Sequence, residues 1–204
     1  MNKNQFDNEY YVMNVDGANN HPLLSWWECE YDPFTESDPI ELSDLEFPME
    51  IKFDKPYPKN PEIADILSLD GNYAVSEKVK LLFEKLNIYG IQFFPVVIVS
   101  PQKVKIQGHY AFHSWNGIMA VDKNNYAGDE ANARGKISDL RKFSLDTKVL
   151  ESIPLEKRQA FHLAETYDKE TLVHQTVRDA IIAEGLTGFS FFRIADWDDN
   201  AMFR

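Results

Sequence analysis

A chain of 204 residues with 44% hydrophobic and 13% aromatic side chains can bury one ample core or two intimate lobes, which argues against wholesale disorder. Its formal charge of −12 is unevenly distributed: residues 4–51 hold no lysine or arginine and twelve carboxylates, and the remaining acidic and basic residues balance. Clustered cations are the main source of nucleic-acid affinity, so this pattern disfavours direct nucleic-acid binding and favours basic partners.

The lone Cys29 excludes an intramolecular disulfide and a multi-cysteine metal cage. No apolar run approaches the roughly 18–20 residues of a bilayer span. The opening MNKNQFDNEYY lacks the basic start and apolar stretch of a secretory signal, so a cytoplasmic location is expected.

In chain order, residues 10–15 read as an opening strand closed by an Asp-Gly-Ala-Asn-Asn turn. Residues 22–61 carry seven of the ten prolines, which predicts short strands and loops in place of long helices. Residues 75–96 (VSEKVKLLFEKLNIYGIQFFPV) and 173–194 (VHQTVRDAIIAEGLTGFSFFRI) then align without a gap. They share Val75/Val173, Val79/Val177, Gly90/Gly188, Phe93/Phe191 and Phe94/Phe192.

In the first copy Val75, Val79, Leu82, Phe83 and Leu86 form one apolar stripe at helical period; Val173, Val177, Ala180 and Ile181 match it in the second. Asn87 and Gly185 close the helices in a left-handed conformation, and the apolar residue after each contacts Phe83 or Ile181 across a Schellman-type cap. Gly90 and Gly188 then turn the chain into an aromatic strand. A short apolar segment, residues 66–69 or 160–164, precedes each copy, so the predicted unit is strand–helix–strand. Between the copies, residues 104–115 read as a long strand paired with the one before it and residues 118–121 as a short strand. Residues 127–135 read as a linker and 136–150 as strand-rich.

The sum is an α+β fold with mixed or antiparallel sheets: one domain over residues 1–204 with two related lobes, 65–126 and 136–204, behind an irregular acidic segment, 1–64.

Motifs for chemistry are sparse. There is no P-loop, dinucleotide-binding glycine triplet or G-x-S-x-G elbow. His109 and His113, four apart on a strand, stand roughly 13 Å from one another and cannot share a metal in that geometry. His162 and His174 read as structural. Asp122, after a short strand, is the most suggestive lone acid, and a turn with Lys123-Asn124-Asn125 explains it more simply. No cofactor or metal is expected.

Trp26 and Trp27 point to opposite sides of an extended chain, one toward a core and one outward. An exposed tryptophan among carboxylates suits a protein-binding hot spot. The candidate partner surface is therefore Trp26, Trp27, Glu28, Glu30, Asp32, Glu36, Asp38 and Glu41. Two alternatives stay open: a small-molecule enzyme using Asp122 or His113 as acid or base, and a ligand-binding module using Trp26, Trp27 and Trp115.

The residues Val75-Ser76-Glu77-Lys78, Gly90, Phe93 and Pro95, then Ala120-Val121-Asp122, then Leu186-Thr187-Gly188 with Phe191, resemble the immunity proteins of bacterial polymorphic toxin systems, within them immunity family eleven. The resemblance covers roughly residues 65–195. It implies a non-enzymatic inhibitor that binds a cognate toxin domain and occludes its active site, with no catalytic set. His174 departs from the Ser-type helix start of the first copy.

Overall fold

A computed structural model describes residues 4–17, 20–26, 40–43, 49–54, 61–167 and 170–200. Asn4 opens it with a capping box: its side chain accepts from the Asp7 backbone, and the Asp7 carboxylate accepts from the Asn4 N–H at 3.0 Å. The short helix α1 (Gln5–Glu9) leads into strand β1 (Tyr10–Val15), the expected opening strand.

The N-terminal segment next supplies β2 (Leu24–Trp26) and β3 (Met49–Phe53). The first copy of the repeat follows as β4 (Ile66–Leu69), β5 (Asn72–Ser76), α2 (Glu77–Lys85) and β6 (Ile91–Val99). Strand β7 (Lys105–Ser114) folds back on β6. These strands close a barrel in the order β2-β3-β6-β7-β5-β4, with β3–β6 and β2–β4 parallel. Leu24, Ile51, Leu67, Leu69, Ala74 and Ile98 are among the residues that fill it.

Beyond it come β8 (Gly117–Ile118), β9 (Val121–Gly128), β10 (Leu140–Leu145) and α3 (Thr147–Ser152). The strand expected over 118–121 is thus split between β8 and β9. The linker expected from residue 127 is partly strand, and α3 occupies the end of the stretch expected to be strand-rich. Asp146 explains the helix: its carboxylate accepts from the N–H groups of Lys148 and Val149.

The second copy is β11 (Ala160–Leu163), β12 (Thr171–His174), α4 (Gln175–Ala183) and β13 (Phe189–Arg193). Its strands form an open sheet, β13-β1-β12-β11-β8. Strands β9 and β10 pair separately.

The repeated unit is longer than the sequence period suggests. It is a hairpin, a helix and a strand, because Val75 and Val173 end strands and do not begin helices. Ile66 pairs with Val75 as Ala160 pairs with Val173. The valine two positions before each helix faces the same core as the helical stripe, so Val75 and Val173 join that stripe at i, i+4 spacing without being helical. The caps match expectation: Asn87 and Gly185 have φ of 52° and 65°, and Ile88 and Leu186 donate to the carbonyls of Phe83 and Ile181.

The equivalence extends to a strand that the alignment does not contain. Val75 pairs with Tyr110 of β7, and Val173 pairs with Tyr11 of β1. Phe93 faces Phe112 as Phe191 faces Met13. The Trp115 N–H donates to Gly90 O at 2.9 Å, and the Asp16 N–H donates to Gly188 O at 2.7 Å. Strand β1, from the N-terminus, therefore does for the second unit what β7 does for the first. The two units are cyclic permutations of one plan.

The units share a core in which Val79, Phe83 and Phe112 of the first join Met13, Val177 and Ile181 of the second. Burying each such side chain contributes about 1.5–3 kcal/mol. Two glycines make the close approach possible. A Cβ at Gly188 (φ 85°) would lie 2.6 Å from Ala64 Cβ and 2.8 Å from Ile66 O of the first unit. One at Gly90 (φ 78°) would lie 2.2 Å from Asn116 Cβ. The Asn116 amide donates to the carbonyls of Lys157 and Ala160 at the start of the second unit. Reciprocal packing of this kind is that of an isologous interface, here within one chain.

Candidate functional site

Within the acidic quarter, the residues on either side of the stretch 27–39 are bound to the barrel. At one end, the Trp26 backbone N–H donates to Asp70 Oδ2 at 2.9 Å, and the Asp70 N–H donates to Leu24 O at 3.1 Å. The Trp26 side chain, 9% exposed, belongs to the barrel core. Trp26 is thus corrected from partner surface to core, as the inward member of the pair. Trp27, Glu28, Glu30, Asp32, Glu36 and Asp38 lie outside the described residues.

At the other end, Gln92 on β6 and His113 on β7 are cross-strand partners. The Leu42 N–H donates to Gln92 Oε1 at 2.8 Å, and Gln92 Nε2 donates back to Leu42 O at 3.0 Å. The carbonyl of Ile40 lies 2.8 Å from His113 Nε2. Held by this pair, the segment turns the Ile40 side chain outward, 69% exposed, beside the exposed Glu41.

The remaining acids of the quarter differ in role. Asp7 is 1% exposed and accepts from the Ser144 hydroxyl and the Leu145 N–H, so it ties α1 to β10 and adds nothing to a docking surface. Glu50 is paired with Lys105.

The residues considered for acid–base chemistry do not converge. His113 is buried in the barrel wall and engaged with Ile40. Asp122 is the second residue of β9, in a different sheet, where its carboxylate accepts from the Asn124 N–H at 3.0 Å; Lys123-Asn124-Asn125, expected to turn, are instead strand with an irregular register against β10. His109 is buried, and burial pushes its imidazole below the ordinary value, which keeps it neutral. His174 caps α4 by accepting from the Thr176 N–H, whereas Ser76 at the matching position makes no side-chain cap and donates its hydroxyl to Asp65. Among the described residues, no three His, Cys, Asp or Glu side chains cluster as metal ligands.

Sequence reasoning missed Gln92 altogether, and it considered His113 only as a metal ligand or a catalyst. Both clamp a segment more than 45 residues away in the chain. A signal lay in the pattern: a polar Gln beside aromatic residues in one strand, opposite a His in the next.

Comparison with known proteins adds the family. A search of curated proteins returned no significant match. The model of the Immunity protein family (Imm11) matches residues 3–196. The match takes in the acidic quarter as well as both units, so it runs well beyond the stretch of roughly 65–195 that carried the resemblance. With nearly its whole length matched, the chain belongs to the Imm11 immunity protein family.

Proposed function

We propose that this immunity protein binds one cognate toxin domain in the cytoplasm and masks its active cleft, carrying out no reaction of its own. The acidic quarter is the surface that meets the toxin, and the toxin face it meets is basic. The observation that supports this most is the anchoring of that quarter. The described residues that flank the carboxylate-rich stretch 27–39 are both held to the barrel, Trp26 through Asp70 and Ile40–Leu42 through Gln92 and His113. Fixing both ends lowers the conformational freedom lost on docking. Exposed Ile40 beside Glu41 offers an apolar contact inside a charged field, the composition of a hot spot with a steering rim.

Replacing Glu28, Glu30, Asp32, Glu36 and Asp38 together with lysine tests the reading. Association with the cognate toxin domain should slow by about 10–100-fold and lose its salt dependence, and protection in co-expression should weaken. The melting temperature should stay within a few degrees. An unchanged on-rate with full protection would remove the acidic quarter from the interface.

A further inference from the structure

A concavity lies far in sequence from the acidic quarter. The cavity, about 450 Å³, opens between β9, the start of α3 and the loop that joins β9 to β10. That volume falls in the range of small-ligand sites, about 300–1,000 Å³. Its floor is made by Val121, Ile137 and Glu165, which are 4%, 4% and 5% exposed, and Val149 and Tyr126 extend the apolar wall. The loop wall is held together by Asn132. The Asn132 side-chain oxygen accepts from the N–H groups of Arg134 and Lys136, and its amide donates to the Tyr167 hydroxyl at 3.0 Å.

Two acids reach this cavity, and they differ. The Asp146 carboxylate is already occupied in capping α3. Glu165 Oε1 accepts from the Val121 N–H at 2.5 Å, but Oε2 is buried with no hydrogen-bond partner among the described residues. Burial raises the Glu165 carboxyl above the ordinary carboxylate range, against backbone N–H donors and the charge of Lys123. Lys123 itself stands exposed at the rim. A buried carboxylate with half its acceptor capacity unused is costly unless a partner completes it.

We propose that this cavity binds a cationic group on an apolar stem, an alkylammonium or alkylguanidinium whose head donates to Glu165 while the stem packs on Val121, Ile137 and Val149. An anion would be repelled by Glu165. A neutral donor would fill the acceptor site but leave the charge uncompensated. The terminal torsion of a glutamate is broad, so the carboxyl can turn to meet a bound head group. Two sources carry this chemistry: a free small amine, and a lysine or arginine side chain of the toxin. The second source rests on the function proposed above; the site itself does not.

The test titrates the whole protein with n-butylamine and agmatine, using n-butanol and butyrate as controls, and follows amide shifts and heat. Both amines should bind at least tenfold more tightly than either control, with shifts centred on Val121, Ile137, Val149 and Glu165. Glu165→Gln should lose that preference while keeping its fold, since it removes an uncompensated buried charge. Val149→Trp, which fills the cavity, should block both amines. Amines that bind no better than butanol, or equal binding by Glu165→Gln, would overturn the site whatever the protein does to a toxin. Once amine binding is established, toxin neutralisation that survives both substitutions assigns the site to a free amine. Loss of neutralisation in both assigns it to a toxin side chain.

Discussion

In the barrel, β6 lies between β3 and β7, whereas its counterpart β13 stands at the edge of its sheet, paired with β1 alone. The same hairpin–helix–strand plan is thus closed once and left open once. Two short N-terminal strands, β2 and β3, make the difference. The position matching Pro95 in β6 is Arg193 in β13, so the copy that lies inside a sheet carries the residue without a donor N–H. Proline is tolerated there because β3 pairs β6 only from Val96 onward. At the open edge, Arg193 pairs with Asp196, and charge at a strand end discourages a further strand from adding. One local plan can serve two architectures when the flanking chain decides which edges are covered.

The junctions between the units differ as well. On one side Asp65, 9% exposed, takes the backbone N–H and hydroxyl of Thr187 on Oδ2 and the Ser76 hydroxyl on Oδ1, at 2.7–3.0 Å. On the other side the neutral amide of Asn116 does the bridging. Burial alone would raise the Asp65 carboxyl; the donors from Thr187 and Ser76 outweigh it and hold the group below the ordinary range.

The largest effect should come from the two close approaches. Gly188→Ala and Gly90→Ala each combine an unfavourable positive φ with a sub-contact Cβ, and each should lower stability by about 2–5 kcal/mol in urea unfolding. A loss under about 1 kcal/mol in either would mean that the units can separate without cost there.

Next in size is the contrast between the charged and the neutral junction. Asp65→Ala should cost about 1–3 kcal/mol at neutral pH. Because the folded carboxyl is shifted down, its stabilisation is full above the unfolded value of about 4 and drains away as pH falls through the folded value. The gap between wild type and Asp65→Ala should therefore narrow in acid, while the gap for Asn116→Ala stays level. Parallel pH dependence of the two would contradict the assignment of charge to one junction only.

The smallest effect concerns a matched pair of surface cations. Arg178 stacks 4.5 Å from the Tyr11 ring and donates to its hydroxyl at 3.0 Å, whereas the equivalent Lys80 stands 5.4 Å from Tyr110 and pairs with Glu84. Arg178→Ala should cost about 1 kcal/mol and Lys80→Ala about half that by thermal unfolding. Equal losses would show that the planar, bonded arginine contributes nothing beyond its charge.

Some of this is legible in the residues. The helical stripes, the left-handed caps at Asn87 and Gly185 and the turns at Gly90 and Gly188 depend on neighbours within a few positions, so the alignment finds them. The Asn4–Asp7 capping box before β1 is equally local and could have revealed α1. Strand β1 as the partner of β7 is not legible. Met13 stands where Phe112 does, Tyr10 where His109 does, and six residues at the far end of the chain carry too little pattern to be aligned. Trp26 and Glu41 were picked together from charge and aromaticity, yet they separate into core and surface because Trp26 completes the barrel wall while Glu41 follows the clamped Ile40. Glu165 drew no attention in sequence, since a glutamate after an apolar strand is ordinary until its neighbours exclude water from it.

Local chemistry alone therefore determined the duplicated unit, its helix ends, the acidic field and the family to which they point, because each arises from residues adjacent in the chain or from composition. Which strand completes which sheet, which edge is sealed, and which carboxylate oxygen is left without a donor were decided only by tertiary packing. Those outcomes depend on contacts between residues tens to more than a hundred positions apart, and no periodicity in the chain encodes them.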